Sequence, residues 1–139
     1  MKSKLHRLSF AEKQQVIRRL AEEMEGQKEV AFAYLYGSFI EDSPFHDIDV
    51  GVYLSGIGQA EAFIIAVKLA SRLSIALNLE VDVRVLDFAP ISFIFQVICG
   101  QIVFERAPEV RMGIVENAIH QYLDIKPLLH RAMKEAFAS

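Results

Sequence analysis

Two periodicities take turns along this chain. After Ser9, the residues Phe10, Val16, Ile17, Leu20 and Met24 recur at helical spacing, which predicts a helix with one apolar stripe. Ser9 suits its N-cap, Glu12 three residues on completes a capping box, and Gly26 can close it. Val30 to Tyr36 is a β-prone run, the first strand, and Gly37 breaks it. Glu41-Asp42-Ser43-Pro44 is turn-like. From Asp47 to Leu54 polar and apolar residues alternate, which predicts the second strand. Gln59 to Leu77 returns to a long helical pattern with Glu61, Lys68 and Arg72 on its polar side, and Asn78 suits its end. Leu79 to Leu86 alternates again. Val81, Val83 and Val85 take one face of this third strand, and Glu80, Asp82 and Arg84 the other.

The remainder is helical apart from one strand. Pro90 suits the first turn of a helix running to about Cys99 and closed by Gly100. Gln101 to Phe104 is a short fourth strand. Pro108 starts a last helix to about Leu123, and Pro127 should break it before a final short helix to Phe137. The order α-β-β-α-β-α-β-α predicts an α/β (α+β) fold: a small mixed sheet of about four strands with helices packed on it. That is too few strands for a doubly wound sheet. No repeat, linker or low-complexity segment divides residues 1–139, and the length suits one domain.

Composition adjusts this picture. At 53 % hydrophobic residues, the chain exceeds the roughly 45–50 % usual for soluble domains. The excess fits a large core or an apolar surface covered in a homo- or hetero-oligomer. The net charge is −3 and no Lys/Arg run exceeds two residues, so direct nucleic-acid binding is not expected. Cys99 is the sole cysteine, so no intrachain disulfide can form; its apolar surroundings predict a small buried hydrophobe. Charges at Lys2, Lys4 and Arg7 stand where a secretory leader needs an apolar core. The longest uncharged run, Phe88 to Phe104, has 17 residues, too few to span a bilayer. The expectation is a cytoplasmic protein away from membranes.

Candidate chemistry centres on Asp47 and Asp49. Two residues apart on a strand, both carboxylates point to one face, with Cα atoms about 6.5 Å apart. Asp is depleted in strands and adjacent anions repel, a conflict that a cation between them removes. If the second and third strands are neighbours, Asp82 joins the pair. Three carboxylates with room for phosphate oxygens suit Mg²⁺, and two such ions can clamp an in-line phosphoryl displacement. Gly37-Ser38 at the end of the first strand lets the backbone approach a ligand closely, and a short helix starting at Ser38 would point free N–H groups at an anion. His6, His120 and His130 show no metal-ligand spacing, His46 reads as a loop residue, and Lys68 and Arg72 read as a solvated helix face. Tyr34, Tyr36 and Tyr53 read as core or site walls.

Tyr36-Gly37-Ser38, then Asp47-Ile48-Asp49-Val50, then Val81-Asp82-Val83 resembles the signature of the DNA polymerase β-like nucleotidyltransferase superfamily. The length resembles its minimal nucleotidyltransferase (MNT) branch. Ala89-Pro90, Gly100 to Phe104 and Tyr122 to Pro127 resemble the segments that follow the third Asp there, so the likeness reaches most of the chain. It implies a nucleotidyltransferase fold that binds ATP and two Mg²⁺ ions. Asp47 and Asp49 would bind both ions, and Asp82 would bind the catalytic one and help activate the acceptor hydroxyl. Gly37 and Ser38 would hold the β- and γ-phosphates. Many MNT proteins are antitoxins of HEPN-type RNase toxins, some of which they silence by moving AMP to a toxin tyrosine. Three departures from the pattern fall on the triphosphate side. Asp42 stands where a second Gly is usual, Phe39 where Arg is usual, and only eight residues separate Ser38 from Asp47.

Three functions follow. The first is Mg-dependent transfer of a nucleoside monophosphate to a hydroxyl of a partner protein, the HEPN-type toxin. The second is a non-catalytic antitoxin that covers its toxin. The third is a small-molecule transferase subunit of the aminoglycoside type.

Overall fold

The computed structural model describes residues 4–42 and 44–138. Met1 to Ser3, Ser43 of the predicted turn and Ser139 lie outside the described residues. The elements are α1 (Phe10–Glu25), β1 (Phe32–Tyr36), β2 (Ile48–Tyr53), α2 (Gln59–Leu77), β3 (Val81–Val85), α3 (Ile91–Ile98), β4 (Gln101–Glu105) and α4 (Pro108–Ala136), with one 3₁₀ turn at Ser38–Ile40.

The first helix starts as its sequence dictates. Glu12 N–H donates to Ser9 Oγ at 3.1 Å, and Ser9 N–H donates to Glu12 Oε1 at 2.8 Å. Gly26 caps the other end. The strands form a mixed four-stranded sheet in the order β3-β2-β1-β4. β1 pairs antiparallel with β2 and β4, whereas β2 and β3 run parallel, joined by α2. This is the expected α/β class, and β2 and β3 are indeed neighbours.

Helices cover both faces. On one, Ala33, Leu35, Val50, Val52 and Val83 bury themselves against Leu20 and Met24 of α1 and Leu69 and Leu73 of α2. On the other, Phe32, Tyr34 and Tyr36 pack with Val97 of α3 and with Ile114 and Val115 of α4. Gly51 in β2 makes that approach possible. A Cβ there would stand 2.7 Å from Val97 Cγ1, so a side chain would push α3 off the sheet.

Two expectations need correction. Cys99 is exposed rather than buried, because it forms the C-cap of α3 with its N–H donating to Phe95 O. The C-terminus is one helix rather than two, since α4 runs through Pro127. The ring removes one hydrogen bond of the ladder, but this stretch is exposed, so the freed carbonyl meets water instead of apolar protein. Among the described residues, no helix is long and apolar enough to cross a membrane.

Candidate functional site

β1, β2 and β3 lay their residues out in rows across the sheet. Tyr36 is the partner of Asp49, and Asp49 is the partner of Asp82. One row on a single face therefore reads Tyr36, Asp49, Asp82. The row behind it reads Tyr34, Gly51, Arg84. Asp47 sits in the bend just before β2, one pleat along from Asp49. The predicted meeting of Asp47, Asp49 and Asp82 rests on this parallel register. The apolar residues between them, Ile48 and Val81, point into the opposite core.

Repulsion is written into this row. Asp49 is half-buried, and its carboxyl is pushed up from its ordinary 3.8 to about 6. Loss of hydration is the main cause, the charges of Asp47 and Asp82 add to it, and the Arg84 guanidinium partly offsets them. The Tyr36 hydroxyl is pushed up to about 12, first by burial and then by the neighbouring carboxylates. It therefore stays protonated near neutrality.

Gly37 closes the end of β1 against the same carboxylate. Its φ of +81° is a conformation that side chains disfavour. A Cβ at this position would lie 2.5 Å from Asp49 Oδ2, so glycine is needed for space as well as for backbone. Ser38 follows, half-buried, and begins the 3₁₀ turn; Glu41 N–H donates to Ser38 O at 3.1 Å. Gly37, Ser38 and Asp49 thus form one corner of the site.

The altered loop is held from beneath. Phe39 is fully buried, edge-to-face with Phe45 at 4.9 Å between ring centres. Burying a side chain of that size contributes roughly 1.5–3 kcal/mol. Lys13 of α1 donates to Phe39 O at 2.8 Å and to Glu41 O at 2.9 Å. The departure at Phe39 thus became a core anchor, and Glu41 and Asp42 lie exposed. Lys13 has no signal in the sequence, since its acceptors are backbone carbonyls 26 and 28 residues away.

Other candidates do not converge. Arg72 donates to Gln27 Oε1 at 2.6 Å, on the connection between α1 and β1. His46 is an exposed bend residue, and Glu80 is exposed ahead of β3. The sequence places Arg84 on the face of Asp82 and gives no sign of Phe93. Arg84 Nε donates to Asp82 Oδ2 at 3.2 Å, and its guanidinium stands 5.8 Å from the centre of the Phe93 ring. Phe93 in turn meets Tyr36 edge-to-face at 5.6 Å.

The chemistry of the donor set suits a hard divalent cation, with carboxylates on two adjacent strands, a third in the bend before β2, and a carboxyl raised by its neighbours. As the side chains lie, no three acidic, imidazole or thiol groups among the described residues enclose a single point. An ion at this site would compete with Arg84 for the Asp82 carboxylate.

Comparison with known proteins follows the same lines. A family model described as polymerase beta, nucleotidyltransferase matches residues 18–109. Among solved structures, the chain is similar to one of a tri-AMPylated Shewanella oneidensis HEPN toxin in complex with MNT antitoxin. The TM-score is 0.71 at 19 % identity, over 91 % of this chain and 99 % of that one. It is also similar to a toxin–antitoxin MntA-HepT structure, with TM-score 0.69 at 19 % identity over 90 % and 99 %. A toxin–antitoxin structure with AMP-PNP gives 0.72 at 18 % identity over 88 % and 98 %. At these identities the likeness shows the fold. No curated protein matches the chain.

Proposed function

The chain belongs to the polymerase beta nucleotidyltransferase family, and from that premise we propose that it moves AMP from ATP to a hydroxyl of a partner protein. The observation that carries this is the register of β2 and β3, which sets Asp82 beside Asp49 with Asp47 one pleat away, against a glycine that leaves room for them. Asp47 and Asp49 would hold two Mg²⁺ ions, and Asp82 the one on the acceptor side. Bound there, Mg²⁺ would neutralise the carboxylates and polarise the phosphate.

The chain's own residues do the rest. Asp82 stands beside the acceptor and helps take up its hydroxyl proton. The acceptor oxygen attacks the α-phosphorus, a new P–O bond forms, and the bond from that phosphorus to the bridging oxygen of the β-phosphate breaks. Pyrophosphate leaves. Gly37 and Ser38 hold the β- and γ-phosphates, and Lys13 fixes the turn that carries them. Arg84, in the row behind, offsets part of the carboxylate charge.

The partner we propose is a HEPN-type RNase toxin in the cytoplasm, on the strength of similar structures that hold a HEPN toxin with its MNT antitoxin. A second reading, silencing by coverage alone, is favoured by one observation: α4 exposes Met112, Leu123, Leu128 and Met133. ATP labelled at the α- or the γ-phosphate decides the reaction. With Mg²⁺ and a HEPN-type partner protein, the α label should move to that protein and the γ label should not. Movement of the γ label would make the chain a kinase, and movement of neither would leave coverage as its function.

A further inference from the structure

We propose that the open edge of β3 receives an extended segment of the acceptor protein as an added strand, so that its hydroxyl is presented to Asp82. This deepens the reading of the chain as a protein-directed nucleotidyltransferase and rests on it.

β3 is an outer strand of the sheet. Ile48 N–H donates to Glu80 O, and Leu86 N–H donates to Val52 O, both at 2.8 Å. The even-numbered residues of β3 therefore turn their backbone groups toward β2, and the odd-numbered ones turn theirs outward. At Val81 that outward pair is already taken: its N–H donates to Ser74 Oγ at 3.0 Å, and the hydroxyl returns a bond to its carbonyl at 3.5 Å. Beyond Val81 the edge is open. Among the described residues no hydrogen bond engages the outward groups of Val83 and Val85. Free groups at two-residue spacing match another extended backbone. A nucleobase, with a single hydrogen-bonding edge, does not match two such pairs about 6.5 Å apart.

The surroundings of this edge fit a peptide as well. A groove of about 1300 Å³ borders it, walled by Phe63 and Val67 of α2 and by Phe88, Pro90 and Phe93, with Asp82 in its lining. Phe63 is 68 % exposed and Val67 53 %, so both overhang the edge without filling it. Alternation then sets the recognised sequence. A strand laid about 4.8 Å from β3 and paired with Val83 and Val85 turns the residues opposite those two to the α2 face, and the next residue past Val83 to the site face beside Asp82. The acceptor segment should therefore carry apolar residues at two alternate positions, resting on the side of Val67 and Phe63, and the hydroxyl-bearing residue directly after the one paired with Val83.

Amide hydrogen exchange at Val83 and Val85, read together with AMP transfer to a HEPN-type partner protein, tests this. Adding that protein should slow exchange at both amides by roughly tenfold or more, and ATP with Mg²⁺ alone should not. Phe63→Glu, at an exposed position, should raise the KM for the acceptor protein at least about tenfold and leave the KM for ATP unchanged. Transfer at the wild-type KM by Phe63→Glu, with unprotected amides, would overturn the docking site and leave the nucleotidyltransfer reading standing. Protected amides without transfer would keep the docking site and remove that reading. Protection by ATP alone would assign the groove to the nucleotide, and protection that grows with the concentration of this chain would assign it to a second copy; either result overturns the proposal.

Discussion

Asp49 shows at the scale of one residue what the site costs the fold. Its carboxyl titrates near 6 in the folded chain against an ordinary 3.8. Between those values the folded state binds the proton that the unfolded state has lost. The stability of the metal-free protein therefore falls as pH rises from about 4 to about 6, and the loss is complete above that. Asp49→Asn removes the penalty. In chelator, its Tm should exceed the wild-type value at pH 7.5, and the difference should close by pH 4. Thermal scans across pH check this, and an advantage that grew toward acid would contradict it. What the sequence shows of the candidate site is the Asp-x-Asp spacing and a glycine at the end of a strand, and the fold brings Asp49 and Gly37 into contact. Lys13 was not legible, because a lysine that holds two distant carbonyls looks like any lysine on a helix.

Among the elements, strands and helices followed local pattern closely because each has one apolar face and a distinct stop. Ser9, Gly26, Asn78 and Pro90 all act at helix ends as their chemistry suggests. Pattern failed where solvent decided. Propensity alone makes Pro127 a break, but an exposed helix can leave one carbonyl to water and continue. The apolar neighbours of Cys99 point to burial, but a C-cap turns outward. One long-range tie was also beyond local reading. Arg106, just after β4, donates through Nη2 to Met24 O, Glu25 O and Gln27 O at 3.1–3.3 Å, and through Nε to Val30 O at 3.2 Å. It thereby ends α1 from another part of the chain. Arg106→Met should lower stability by about 1–3 kcal/mol, since carbonyls at a helix end lose a charged donor. Denaturant unfolding measures this, and an unchanged midpoint would show that water serves them equally well.

At the scale of the whole molecule, the apolar excess has two destinations. One part fills the two layers that sandwich the sheet. The other lies exposed on α2 and α4, a division that composition alone leaves open. The last stretch of α4 exposes nearly all it carries, so it adds little to the core. Removing residues 128–139 should shift Tm by less than about 2 °C. A larger drop would show that this segment supports the fold. The topology was not legible: adjacency of β2 and β3 enters the sequence only as the condition that would bring Asp82 to Asp49, and no local pattern states their parallel pairing. Everything proposed for this chain turns on that row. Its most direct test is the rate of labelled AMP transfer from ATP to a HEPN-type partner protein, wild type against Asp47→Asn with Asp49→Asn. A loss of at least about 10²-fold is expected with the fold intact, comparable to removing a preorganised charge-stabilising group. Transfer by the double variant at the wild-type rate would contradict it.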